Sequence, residues 1–186
     1  LGTGDKNVSI GYLAGTQADV DPNTGTPTGL TASTYSNAVN IGSDTQALAN
    51  NAIAVGTSSS VAATMVGGIA LGNNAKVTGI NATKGGSASL AIGENALSTG
   101  SSEVVIGSNA GKGSTRFTGN PGDVGFASDS ALVGQSAGLN SSYIYATYLG
   151  QEAGNGSSGR HNSYVGQNAA RYRDGSLNTA LGSNAL

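Results

Sequence analysis

The stretch Leu90-Ala-Ile92-Gly93-Glu-Asn-Ala96 contains the unit that decides the fold: two apolar residues flank a small one, and a glycine and then an alanine follow. Close copies read Ile69-Ala-Leu71-Gly72-Asn-Asn-Ala75 and Ile53-Ala-Val55-Gly56. The general pattern, two residues that straddle a third and run into a glycine, usually with an alanine three residues later, occurs ten times, with its glycine at positions 11, 42, 56, 72, 93, 107, 134, 150, 166 and 182. The spacings are 31, 14, 16, 21, 14, 27, 16, 16 and 16 residues. A short period interrupted by insertions is typical of one supersecondary unit stacked repeatedly.

Each unit predicts a short β-strand, because alternate residues of a strand point to the same face. Val39 and Ile41 then face together, with Asn40 opposite. The glycine with its Asn or Ser neighbours predicts a turn, and Ala47-Leu-Ala49 predicts a second strand within the segment 42–56. Frequent glycine and the lack of a 3.6-residue apolar stripe disfavour helix. The sequence therefore predicts an all-β fold, a parallel β-solenoid of narrow coils.

The composition leaves a single chain short of core residues. Of 186 residues, 31 are glycine, 10% are charged and 5% are aromatic, so one coil contributes only two sizeable apolar side chains. Burial of so little surface hardly offsets the conformational entropy of folding. This favours three chains that turn their apolar faces onto a shared axis, with a dimer or a monomer left open. The expected trimer core is Val39, Ile41, Ile53, Val55, Ile69, Leu71, Leu90, Ile92, Val104 and Ile106.

Charge and composition exclude several classes of partner. A net charge of −2 gives no electrostatic case for binding nucleic acid or an anionic membrane surface. No apolar run approaches the roughly 18 residues that cross a bilayer, so we expect no membrane insertion by this segment. The absence of cysteine excludes a disulfide scaffold. Because the chain begins at Leu1 without a signal-peptide pattern, we expect a fragment of a longer protein.

The repeat changes along the chain and divides it into two arrays. Residues 1–111 hold coils of 14 to 16 residues, with predicted loop insertions at 16–36 and 76–88. Residues 112–129 form a polar loop insertion, and residues 130–186 hold regular 16-residue coils. In this second array the residue three before the glycine becomes Ala131, Thr147, Ser163 and Thr179, and the middle residue becomes Leu132, Tyr148, Tyr164 and Ala180.

The copies in residues 37–111, among them Ala70-Leu-Gly72-Asn-Asn-Ala75 and Leu90-Ala-Ile-Gly93-Glu-Asn-Ala96-Leu, closely resemble the YadA-like head repeats of trimeric autotransporter adhesins. The later units, such as Tyr148-Leu-Gly150-Gln-Glu-Ala-Gly154, look more like related repeats in bacteriophage tail fibres. The resemblance implies a left-handed parallel β-roll and a homotrimer, side by side or intertwined. It also implies an extracellular, non-enzymatic fibre on a bacterial surface or a virion, which attaches to a cell-surface glycan or protein receptor.

Candidate chemistry in the sequence is weak, and we expect no catalytic residue, no metal and no cofactor. Gly134-Gln-Ser136-Ala-Gly138 matches a nucleophile elbow, but Ser136 is in register with the repeat and no helix is predicted after it. His161 is the only histidine and the only candidate base. Asp19-Val-Asp21-Pro-Asn23-Thr-Gly25 alternates oxygen ligands as a calcium loop does, but Leu30 replaces the final glutamate. A polysaccharide-active enzyme is therefore the weaker alternative.

The tyrosines give the strongest recognition signal, since five of the seven fall within residues 143–172. Tyrosine and arginine are enriched at recognition surfaces, and equivalent tyrosines one coil apart predict an outward aromatic ladder for stacking on sugar rings. The candidate ligand-binding residues are Tyr143, Tyr145, Tyr148, Tyr164, Tyr172, Arg160, His161, Arg171 and Arg173. The alternatives are that this ladder only packs the outer layer, or that the segment is a pure structural spacer of a fibre.

Overall fold

The structure of the chain, a computed structural model, describes residues 6–20, 27–32, 35–78, 88–100, 102–116 and 129–186. These residues form strands and turns but no helix. The strands are β1 (Val8–Ile10), β2 (Thr16–Val20), β3 (Pro27–Ala32), β4 (Val39–Ile41), β5 (Gln46–Ala47), β6 (Ile53–Val55), β7 (Ser60–Val61), β8 (Ile69–Leu71), β9 (Lys76–Val77), β10 (Leu90–Ile92), β11 (Leu97–Ser98), β12 (Val104–Ile106), β13 (Thr115–Arg116), β14 (Ala131–Val133), β15 (Ser142–Ile144), β16 (Thr147–Leu149), β17 (Ser158–Arg160), β18 (Ser163–Val165) and β19 (Thr179–Leu181).

The ten repeat units pair with one another in a single parallel sheet. Its strand order is β1-β4-β6-β8-β10-β12-β14-β16-β18-β19, so each unit hydrogen-bonds to the next unit along the chain. Equivalent residues stand opposite each other; for example, Ala91 pairs with Ala70 on one side and with Val105 on the other. The pairing of β12 with β14 joins the two arrays in this sheet. The all-β prediction is confirmed, and the long parallel sheet is compatible with the predicted solenoid.

The glycine that ends each unit is required by the stacking of the repeats. Gly93 has φ +127°, a conformation that side-chain-bearing residues rarely adopt. A Cβ atom at Gly93 would stand 2.6 Å from the carbonyl carbon and oxygen of Gly107, the glycine of the next unit. The backbones approach so closely at this turn that only glycine fits there. The stacking therefore accounts for the regular recurrence of glycine in the sequence.

Most units continue into a second strand, which has two residues in β5, β7, β9, β11 and β13 and three in β15 and β17. In the first array, β5, β7, β9 and β11 form a four-stranded parallel sheet, and β13 forms a three-stranded one with β15 and β17 of the second array. The sequence predicted the first of these strands at Ala47–Ala49, and the structure places β5 at Gln46–Ala47 with Ala47 and Ala49 both buried. A longer turn separates the repeat glycine from the second strand in the second array, as between Gly150 and β17.

The predicted insertions also contribute strands. Within 16–36, β2 and β3 form an antiparallel hairpin. Strand β9 occupies the first two residues of the segment 76–88 and pairs with β7 and β11. Strand β13 lies inside the segment 112–129 and pairs with β15. Residues 79–87 and 117–128 lie outside the described residues, as do residues 21–25 of the candidate calcium loop.

Candidate functional site

The expected trimer-core residues lie on the outer face of the large sheet. In β4, β6, β8, β10 and β12 the first and third residues of each strand point away from the interior and are half-buried or exposed, with Ile41 36% and Val104 39% exposed. We call these ten residues the aliphatic stripe: Val39, Ile41, Ile53, Val55, Ile69, Leu71, Leu90, Ile92, Val104 and Ile106. The stripe contains no charged or polar side chain. In the isolated chain it is a continuous apolar surface two residues wide.

The middle residue of each unit points the other way, into the interior of the chain. We call this position the inner slot. In the first array it holds small residues such as Ala54, Ala70 and Ala91, all fully buried. In the second array it holds Leu132, Tyr148 and Tyr164, also fully buried. The alternation predicted from the sequence is therefore confirmed, and it places the flanking aliphatic residues outside and the middle residue inside.

The predicted outward tyrosine ladder is wrong in its direction. Tyr148 and Tyr164 do stack one repeat apart, but both are 0% exposed, and Tyr143, which packs edge-on against Tyr148, is 1% exposed. These three rings fill the interior of the second array, because the inner slot there faces other buried side chains. They pack the interior and do not form a ladder of exposed rings.

Burial has raised the pKa of each of these tyrosines. Desolvation raises the pKa of Tyr148 to about 12, although the Ser157 hydroxyl, which donates to the Tyr148 oxygen at 3.2 Å, partly opposes the shift. Desolvation also raises the pKa of Tyr143 and of Tyr164. All three hydroxyls are neutral near neutral pH, as expected for phenols in an apolar interior.

Two of the predicted ligand residues form an exposed aromatic pair. Tyr145 and His161 occupy equivalent positions one repeat apart, in the turn that leads from the three-stranded sheet into the large sheet. Their rings stack with centroids 4.9 Å apart and planes at 20°. Tyr145 is 41% exposed and His161 is also exposed. Arg160, half-buried, immediately precedes His161 in the chain.

A second group of predicted residues lies in a different turn, the one that follows Gly166. The Arg171 guanidinium lies over the ring of Tyr172 at 4.9 Å from its centroid and forms an ion pair of 3.1 Å with Glu152. Tyr172 is 67% exposed. Arg173 lines a pocket of about 140 Å³ with Tyr164, Asp174, Asn178 and Leu186. The structure thus separates the nine predicted ligand residues into a buried set and two exposed turns.

The sequence analysis missed one buried charged residue, Glu103, which is 1% exposed. One of its carboxylate oxygens accepts hydrogen bonds from the Ser98 hydroxyl at 2.9 Å and from the backbone N–H groups of Thr99 at 3.0 Å and Gly100 at 2.9 Å. These donors offset the cost of burying a carboxylate. A feature of the sequence could have revealed this residue: Glu103 stands directly before a repeat strand, where neighbouring repeats carry Ala, Gly or Ser.

The structure does not support the candidate nucleophile elbow. Ser136 has φ +58° within the turn after β14, and the chain continues from that turn into β15, a strand rather than the helix that a nucleophile elbow requires. Within the described ranges, no group of three or more His, Cys, Asp or Glu side chains is placed to hold a metal ion. The part of the chain that the structure describes also contains no helix of the length and hydropathy needed to cross a membrane.

No known protein-family model matches the chain, and no curated protein matches it. The likeness to YadA-like head repeats and to tail-fibre repeats therefore stays an expectation that rests on the repeat motifs themselves.

Proposed function

We propose that this chain is a β-solenoid that assembles as a homotrimer and serves as a non-enzymatic segment of an extracellular fibre. Such a segment mediates or presents attachment to a cell surface, on a phage tail fibre or a bacterial adhesin. The observation that supports the proposal is the aliphatic stripe: ten Val, Ile and Leu side chains on the outer face of the large sheet, beside an interior of alanines. An uncharged apolar surface of this extent is typical of an interface.

The energetics of the stripe favour association with copies of the same chain. Full burial of one such side chain contributes about 1.5–3 kcal/mol relative to exposure. The ten half-buried side chains together therefore provide on the order of 10 kcal/mol per chain, before the costs of association are subtracted. Three copies around one axis bury all three stripes at once and leave no stripe facing water. The resemblance to YadA-like heads implies that the solenoid is left-handed and that the assembly is a trimer.

Recognition in this proposal belongs to the exposed turns of the second array. The Tyr145–His161 pair presents aromatic surface at the outside of the stack, and Arg171 and Tyr172 present a guanidinium and a phenol in the other turn. Aromatic rings beside guanidinium donors suit a sugar or an exposed protein loop. The expected partner is therefore a cell-surface glycan or protein receptor.

Binding to cell surfaces tests this proposal. Fluorescently labelled protein is incubated with a panel of whole bacterial cells and with arrayed surface glycans, and the retained protein is measured. We expect the double variant Tyr145→Ala with His161→Ala to lose at least about tenfold in retention, since each aromatic contact contributes on the order of 1 kcal/mol. Tyr12→Ala is the matched control, because Tyr12 is 74% exposed and lies outside both turns.

The second candidate function is a structural spacer that binds nothing. The burial of Tyr143, Tyr148 and Tyr164 favours it, because three of the residues expected to bind a ligand instead stabilise the fold. Retention of the parent no greater than background on every cell and glycan would favour the spacer, whereas a double variant retained as well as a bound parent would place attachment outside these turns.

A further inference from the structure

The two faces of the large sheet differ between the two arrays. In the first array its large apolar side chains lie on the outer face, whereas in the second array large side chains fill the inner slot and hydroxyl side chains appear on the outer face. We call the residue three before each repeat glycine the leading row and the residue directly before it the trailing row. In β6, β8 and β10 the leading row is Ile53, Ile69 and Leu90, and the inner slot is alanine. In β16 and β18 the leading row is Thr147 and Ser163, and the inner slot is tyrosine. The change falls between β12 and β14, where the leading row passes from Val104 to Ala131 and the inner slot from Val105 to Leu132.

The second array consequently has a core of its own. Tyr148 packs against Tyr164 with ring centroids 5.0 Å apart and against Tyr143 with centroids 5.9 Å apart. Leu132 is buried in the same interior. The first array has alanines and a few valines in the corresponding positions, with Met65 as its largest buried apolar side chain. The first array therefore depends more on surface supplied from outside the chain.

The apolar part of the outer face also becomes narrower between β12 and β14. The trailing row stays apolar through Val133, Leu149, Val165 and Leu181, but the leading row becomes Thr147, Ser163 and Thr179. Burial of hydroxyl groups against an apolar partner without hydrogen bonds is unfavourable. The leading row of the second array is thus suited to water and not to an apolar contact.

From this difference between the two arrays we infer that copies of this chain contact one another through both rows in residues 39–106. From β14 onward they contact one another through the trailing row alone. The inference rests on the proposed assembly and adds its geometry. The partner is another copy in parallel alignment, with equal repeats side by side. An antiparallel copy would place Thr147 and Ser163 against Ile and Leu side chains, whereas parallel copies place each apolar row beside the same apolar row and each hydroxyl row beside the same hydroxyl row.

Cysteine labelling tests this inference cleanly because the chain has no cysteine of its own. Leu90→Cys and Ser163→Cys place a thiol at the same leading-row position in the two arrays, and both side chains are half-buried in the isolated chain. Maleimide labelling rates are measured in the native assembly and in denaturant, with the oligomeric state of each variant checked by native mass spectrometry. We expect Cys at position 163 to react at least about tenfold faster than Cys at position 90 in the assembly, and both to react equally in denaturant.

The outcomes separate this inference from the proposed assembly. If both thiols are protected in an intact oligomer, the contact is two rows wide throughout, which overturns the inference and leaves the assembly standing. If both react freely in an intact oligomer, the leading row is not in the contact, which overturns the inference. If both react freely in a folded monomer, both proposals fail. Should Leu90→Cys prevent assembly, Ile69→Cys reads the same row one repeat earlier, and the same outcomes apply.

Discussion

Tyr148 and Tyr164 lie one repeat apart inside the chain with parallel rings, 5.0 Å between centroids and 5° between planes. Strict stacking of equivalent positions produces this contact, because β16 and β18 pair in register. The pair shows that the second array is built around aromatic side chains, whereas the first array is built around alanine. The contrast affects stability, pH dependence and the way in which copies of the chain meet.

Alkaline pH should unfold the second array through its buried tyrosines. The folded-state pKa of Tyr148 is about 12, above the value near 10 of an unfolded chain. A raised pKa stabilises the fold fully below pH 10, and this contribution is lost as the pH rises from about 10 through about 12. Between about pH 10 and about pH 12 we expect the absorbance of tyrosinate to increase while the circular dichroism signal of the fold decreases. In Tyr148→Phe the loss of structure should shift to higher pH; an unchanged midpoint would show that Tyr148 does not control this transition.

The close stacking of the repeat glycines predicts that Gly93→Ala strongly lowers the stability of the fold. The added Cβ meets the Gly107 carbonyl at 2.6 Å, and φ +127° strains any side-chain-bearing residue. We expect a loss of more than about 2 kcal/mol in the free energy of unfolding, measured by urea denaturation. Gly67→Ala is the control, because Gly67 also has positive φ, +74°, but its added Cβ meets only the Ala88 Cβ at 3.4 Å. Equal losses in both variants would refute the steric explanation.

Two equivalent turn positions should respond to substitution in opposite directions. Gly154 has φ +64° and an added Cβ would stand 2.5 Å from the Tyr148 ring, which is held in the buried stack. Ala170, one repeat later, has φ +51° although it bears a side chain. We expect Gly154→Ala to lower the melting temperature and Ala170→Gly to raise it, since left-handed backbone costs a non-glycine residue about 1–2 kcal/mol. A lower melting temperature for Ala170→Gly would contradict the assigned strain.

Much of the fold could be predicted from the sequence because the repeat fixes the strand register. The glycine positions identify which residues stand opposite each other, and the alternation groups Val39 with Ile41 against Asn40. Alternation alone does not tell which of the two faces points into the chain. The tyrosines of the second array were therefore assigned to the outside, although their slot is continuous with the buried alanines of the first array.

The exposed aromatic turn could be predicted only in part. The clustering of Tyr145 and His161 with arginines was visible in the sequence, but the sequence analysis did not pair them as equivalent positions one repeat apart. The distribution of the nine candidates over two turns and the interior depends on where each coil bends. That bend shifts between the arrays when the turn after the glycine lengthens, a change that the glycine spacing does not reveal.

A charged residue introduced into the aliphatic stripe tests whether the stripe is the contact between copies. Ile92→Asp should dissociate the oligomer, because copies around one axis would bring unpaired carboxylates together in an apolar contact. The isolated chain leaves Ile92 only half-buried, so the variant's own interior is not disturbed. If Ile92→Asp keeps the parent's oligomeric mass and melting temperature, the stripe is not the contact between copies.

Sedimentation equilibrium of the unmodified chain at micromolar concentration tests the central claim most directly. Assembly through the aliphatic stripe predicts a single species with three times the 18.0 kDa mass of the chain, unchanged on dilution across the micromolar range. A folded species of 18.0 kDa under the same conditions would contradict it, since the stripe would then be exposed to water in a stable monomer.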